Sequence, residues 1–172
     1  MAKVSSQFSS VPMTLTTIGS AAATGGFMAL LGVASSVAKI SEIYMGGEAG
    51  TSSQVASMVF ARVTTLAATP AVGNATTILT DITSVAPTLS ATPGFTSAGT
   101  GPISASGSQI LHLSYNAYGG IVRWVSSPDQ QITMYGAGAY TVGTQGTGGS
   151  MNLIQVGGTA STMSGHILYE VM

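Results

Sequence analysis

The sequence predicts an all-β fold, an antiparallel β-sandwich with long Thr/Ala/Ser/Gly/Pro-rich loops. Three observations carry this. Seven or eight short runs favour strands, each bounded by Gly, Pro, Asn or Asp. No stretch keeps a helical apolar period for long. Charged residues are 5% of the chain against 45% hydrophobic, so the surface must be hydroxyl, amide and glycine, or be covered by neighbours. Many short strands with turns between them make sandwiches or barrels. A jelly roll is the expected topology, and an immunoglobulin-like sandwich fits the strand count nearly as well.

Taken in order, residues 1–12, "MAKVSSQFSSVP", read as a flexible N-terminal arm that Phe8 could anchor to a neighbour. Residues 13–172 read as one sandwich domain, a size that buries a core without staples. Residues 13–36 suggest a strand and then a glycine-broken segment, with no more than a short turn at 27–31. "VAKISEIYM", 37–45, is a strand with Ile40 and Tyr44 on one face and Ile43 on the other. "GGEAGTSS", 46–53, breaks it. In "QVASMVFARV", 54–63, Ala56, Met58, Phe60 and Arg62 share one face, and both faces are partly apolar. Residues 64–109 read as long loop with one strand, 75–82, inside it. "QILHLSYN", 109–116, and "GGIVRWV", 119–125, read as a hairpin closed by Gly119-Gly120. "SSPD", 126–129, is a turn with Pro128 well placed. Strands at 130–136, 151–156 and 164–172 complete the chain, with "AYTVG" a short continuation after 136.

The chemistry-bearing residues are few. The chain has no cysteine, which removes disulfides, thiolate metal sites and thiol nucleophiles. Lys3, Lys39, Arg62 and Arg123 are scattered and form no basic stripe, so direct nucleic-acid binding is not expected. Residues 21–38 approach the length of a membrane span, but Thr24, Gly25, Gly26, Gly32, Ser35 and Ser36 interrupt them, and no membrane partner is expected. His112 and His166 are the only imidazoles, with no carboxylate at ligand spacing, so no metal is expected. Among Glu42, Glu48, Asp81, Asp129 and Glu170 no pair stands out as an acid/base dyad. There is no G-x-S-x-G elbow, and the glycine pairs lack the Lys and helix of a phosphate loop. "NAT" at 74–76 matches a glycosylation acceptor, which matters only in a eukaryotic secretory pathway. The expectation is a protein that is not an enzyme and has no cofactor.

The remaining candidates are interface or structural residues: Phe8, Glu48, Phe60, Arg62, Tyr118, Arg123, Trp124, Asp129 and Glu170. Tyr115, Tyr118, Trp124, Tyr135 and Tyr140 cluster in sequence, as one sheet's core or as an interface. Trp124 is expected in the core, Tyr118 exposed, and Arg123 on the face opposite Trp124. Arg62 and Arg123 are expected to pair with Glu48, Asp129 or Glu170, within or between copies.

Three segments carry a resemblance: "EIYMGGEAGTSSQVASMVFARVTT" at 42–65, "LSYNAYGGIVRWVSSPDQQITMYG" at 113–136 and the terminal "GHILYEVM". The matching positions are Gly46, Gly47 and Glu48, Ala61 and Arg62, Asn116, Gly119, Gly120, Arg123 and Trp124, and His166 with Glu170. In these the chain resembles small virion structural proteins of tailed bacteriophages: minor capsid, cement or decoration proteins. The resemblance covers about two-thirds of the chain and carries over no catalytic residue. It implies a structural virion component, assembled in the bacterial host cytoplasm, with the major capsid protein or other virion subunits as partners. A carbohydrate- or receptor-binding β-sandwich module of a virion is the alternative, motivated by the aromatic cluster. Apolar content beyond what so few charges keep in solution predicts a homo-oligomer. A trimer is favoured by analogy of fold, with residues 1–12 and part of 64–109 reaching to neighbours.

Overall fold

Period-two alternation becomes eleven strands and no helix among the described residues. The computed structural model describes residues 2–12, 28–31, 37–48, 53–63, 75–79, 90–93, 109–135, 150–158 and 162–172. The strands are β1 Ala2–Pro12, β2 Met28–Leu31, β3 Val37–Glu48, β4 Val55–Val63, β5 Ala75–Leu79 and β6 Ser90–Pro93. They continue as β7 Gln109–Asn116, β8 Tyr118–Val125, β9 Ile132–Tyr135, β10 Ser150–Gly158 and β11 Thr162–Val171.

All pairings are antiparallel. The first sheet runs β5-β1-β11-β3-β8, with β9 also on β3, and the second runs β6-β2-β10-β4-β7. Alternate residues of both sheets meet in a single apolar cluster. Val4, Ala38, Ile40, Ile43, Met45, Met163, Ile167 and Tyr169 come from the first sheet, and Ala56, Met58, Phe60, Leu113 and Tyr115 from the second.

Several elements differ from expectation. Residues 2–12, expected as an arm, are β1, an interior strand between β5 and β11. Val4 of this strand is buried in the core, and β11 and β5 pair with it on its two sides. Met28–Leu31, expected as a turn at most, is β2, held by β10 and β6 on its two sides. Pairing overrides the helix preference of Ala and Leu. β6 was not expected at all. Of the strand expected at 75–82, Ala75–Leu79 is β5, and residues 80–82 lie outside the described residues. The loops around these strands, "AYTVG" and the strand expected near residue 13 lie outside the described residues.

The expected hairpin is a corner. β7 pairs with β4 and β8 with β3, in different sheets, so the chain changes sheet at Ala117. Gly119 and Gly120 lie within β8. Asn116 fixes the corner: its Oδ1 accepts from Tyr118 N at 2.9 Å and Gln54 N at 3.3 Å, and its Nδ2 donates to Ser53 Oγ at 2.9 Å. Gly47 lies directly beneath, and a Cβ there would strike the backbone of Ala117. β3 continues through Gly46-Gly47 to Glu48, where a break was expected, because β11 and β8 pair with it there.

A β-bulge sets the faces of β3. Leu168 pairs with Glu42 and Tyr169 with Ile40, which leaves Ser41 as the extra residue. Ser41 Oγ donates to Leu168 O at 3.2 Å, and Ser126 N donates to Ser41 O at 2.9 Å. The alternation changes phase here. Ala38 and Ile40 point inward before the bulge, Ile43 and Met45 after it. Tyr44 therefore lies on the face opposite Ile40, contrary to a simple alternation. Opposite the bulge the neighbouring chain steps out as residues 126–131 between β8 and β9, closed by Gln130 N to Ser127 O at 3.0 Å with Pro128 inside the turn.

Candidate functional site: a carboxylate shared by three strands

The outer face of the first sheet collects most of the described charge. In register across it, Gln7 faces His166, His166 faces Tyr44, and Tyr44 faces Arg123. One row away Leu168 faces Glu42, and beyond it Lys3 faces Glu170, which faces Lys39. Three of the four basic residues thus share one face of one sheet.

Glu42 is the centre. It is 8% exposed. Arg123 grips it with both prongs, Nε to Oε1 at 3.0 Å and Nη2 to Oε2 at 2.9 Å. His166 Nε2 lies 3.1 Å from Oε1. Tyr44 stacks on the His166 ring with centroids 5.3 Å apart and planes 15° from parallel. The carboxylate ties β3 to β8 on one side and to β11 on the other.

The electrostatics follow from these contacts. The Arg123 hydrogen bonds hold the Glu42 carboxyl below its ordinary value. Burial opposes this, and the His166 bond adds to it. Glu42 in turn raises the Arg123 guanidinium above its ordinary value. Oε1 has two partners and Oε2 one, so Glu42 acts as an anchor between the three strands. Among the described residues no group of three His, Cys, Asp or Glu side chains could hold a metal ion. No helix among them is long and apolar enough to cross a membrane.

The expected residues fall in several places. Arg123 is in the cluster, on Glu42 and not on Glu48, Asp129 or Glu170. Glu170 lies 3.8 Å from Lys3. Glu48 is exposed and accepts a hydrogen bond from the Ser164 hydroxyl. Asp129 is exposed in the 126–131 turn. Trp124 points inward and packs on the core, Phe60 is fully buried within it, and Tyr118 is exposed. Phe8 pairs with Gly165 and Ala75, and Arg62 with Met151; their side chains, and the ion pair expected of Arg62, lie outside the described residues. Sequence reasoning missed Glu42, His166 and Tyr44 as a group, because they meet only across the sheet. The available signal was Glu42 itself, an acid between Ile40 and Ile43 in a charge-poor chain.

No protein-family model, no curated protein and no solved structure matches this chain.

Proposed function

We propose that this protein is a non-enzymatic structural component of a phage-like virion, a jelly-roll sandwich that cements or decorates the capsid through subunit contacts. The strand order carries the reading. Without its outlying strands, the first sheet reads β1-β11-β3-β8 and the second β2-β10-β4-β7. Eight antiparallel strands distributed over two sheets in this way support the reading of a double Greek key, a fold common in capsid and lectin domains. The step from that fold to a virion is by analogy. It is supported by the chain's 5% charge and by the resemblance in residues 42–65, 113–136 and 165–172. The Glu42 cluster serves the same reading, since it bonds three strands together.

The glycan-binding alternative loses part of its motivation, because Tyr115 and Trp124 face the core. Quantitative mass spectrometry of purified particles is the test. The protein is expected in many copies per particle. Its absence from particles, with free protein in the host cytoplasm, overturns the proposal.

A further inference from the structure

We infer that the edge formed by β7 and β8 is a self-association surface, and that its occupant is the same edge of a second copy. The inference rests on the structural-subunit reading and adds the surface to it.

Both sheets end on this side of the fold, the first at β8 and the second at β7, joined by the Ala117 corner. Among the described residues no strand pairs with the outer side of either. An edge strand presents a row of backbone donors and acceptors ready to pair with another chain. Native edges are usually blunted by shortness, proline or charge. Of the opposite edge strands, β6 carries Pro93. β7 and β8 have eight residues each, with no proline. The stretch 109–125 holds one charged residue, Arg123, and Glu42 of the same chain already binds it.

Exposed apolar side chains lie on the strands of this side, on the outer face of the first sheet along β8 and on the outer face of the second along β7 and β4. Ile121 is 65%, Val125 54% and Tyr118 53% exposed on β8, with Ile110 on β7 and Val55 next to it on β4. Of the large exposed hydrophobics among the described residues, Met172 alone lies elsewhere. A neutral apolar edge gives nothing for a nucleic acid or a charged peptide to recognise. A second copy meets it without repulsion, since the net charge is only -1.

Twofold antiparallel pairing of β8 with itself must match outward residues with outward residues. Arg123 opposite Arg123 would set like charges face to face, which is unfavourable. Ile121 opposite Ile121 centres the contact on the strand and sets Arg123 across from Gly119, where there is room for it. Such a contact closes in twos, and it takes the place of the trimer expected from fold analogy.

The chain has no cysteine, so a single introduced one reports cleanly. Ile121→Cys is expected to form a disulfide-linked dimer on mild oxidation, because directly opposed strand residues lie within disulfide reach. Gln7→Cys, exposed on the outer face of β1, is the control expected to form no disulfide-linked dimer. Light scattering should give the wild type a two-chain mass and Ile121→Lys a one-chain mass, with the far-UV circular dichroism unchanged. A wild-type monomer at micromolar concentration overturns the inference. So does an oligomer that Ile121→Lys leaves intact, or equal cross-linking at Gln7→Cys. Particle mass spectrometry still decides the structural-subunit reading by itself, so the two failures are distinguishable.

Discussion

Glu42 is the residue on which the first sheet's polar face depends. Its carboxyl is held below the ordinary value of 4.5 in the folded chain. An acid with a lowered folded value stabilises the fold above its unfolded value, and this contribution is lost as pH falls through the folded value. The melting temperature is therefore expected to fall as pH drops below 4.5, and Glu42→Gln should flatten that acid slope in thermal melts recorded across the range. At neutral pH the same substitution should lower the melting temperature only slightly, because Arg123 is exposed and its charge is screened. Tyr115 behaves in the opposite sense. Burial pushes its phenol from 10.0 up to about 12, and its hydroxyl donates to Met163 Sδ at 3.2 Å. Its contribution is complete below pH 10.0 and is lost as pH rises toward the folded value. Spectrophotometric titration should show a phenol absent from the Tyr115→Phe variant that ionises only near that upper value or on unfolding.

The corner between β7 and β8 shows how one element depends on backbone geometry. Gly119 has φ +71°, in the left-handed region, with nothing near the position of a Cβ. Gly120 has an ordinary φ, but a Cβ there would run into Asn116. The two glycines should therefore respond differently. Gly119→Ala is expected to cost about 1 kcal/mol from conformation alone. Gly120→Ala should cost more, since backbone must move, and chemical denaturation of the pair compares them directly. Asn116→Ala removes one acceptor shared by two backbone amides and one donor to Ser53, at about 1–3 kcal/mol. Sequence reasoning located the Gly-Gly break and gave it to a hairpin. A hairpin and a sheet-crossing corner use the same turn residues, and only the partners of the flanking strands tell them apart.

For the molecule as a whole, stability rests on the cluster both sheets share. Phe60→Ala should leave a cavity at the level of Leu111 and cost about 3–5 kcal/mol. Because residues of both sheets line that cluster, fluorescence of Trp124 and far-UV circular dichroism should report the loss at the same denaturant concentration.

The all-β class was legible in the chain because strand alternation and Gly/Pro punctuation are local signals. So were the inward Trp124, the exposed Tyr118 and the turn at Pro128, each readable from its immediate neighbours. The charge-poor surface is a matter of composition alone. The arm that is β1, the β2 strand at Met28–Leu31 and the corner at Ala117 were not legible, because a strand becomes one through a partner distant in sequence: β1 through β11, β2 through β10. The Glu42 cluster belongs with these. Glu42 and Arg123 are 81 positions apart, Glu42 and His166 124. They share a face only because one extra residue at Ser41 shifts the phase of β3, and antiparallel register then carries the imidazole and the guanidinium to the two sides of the same carboxylate.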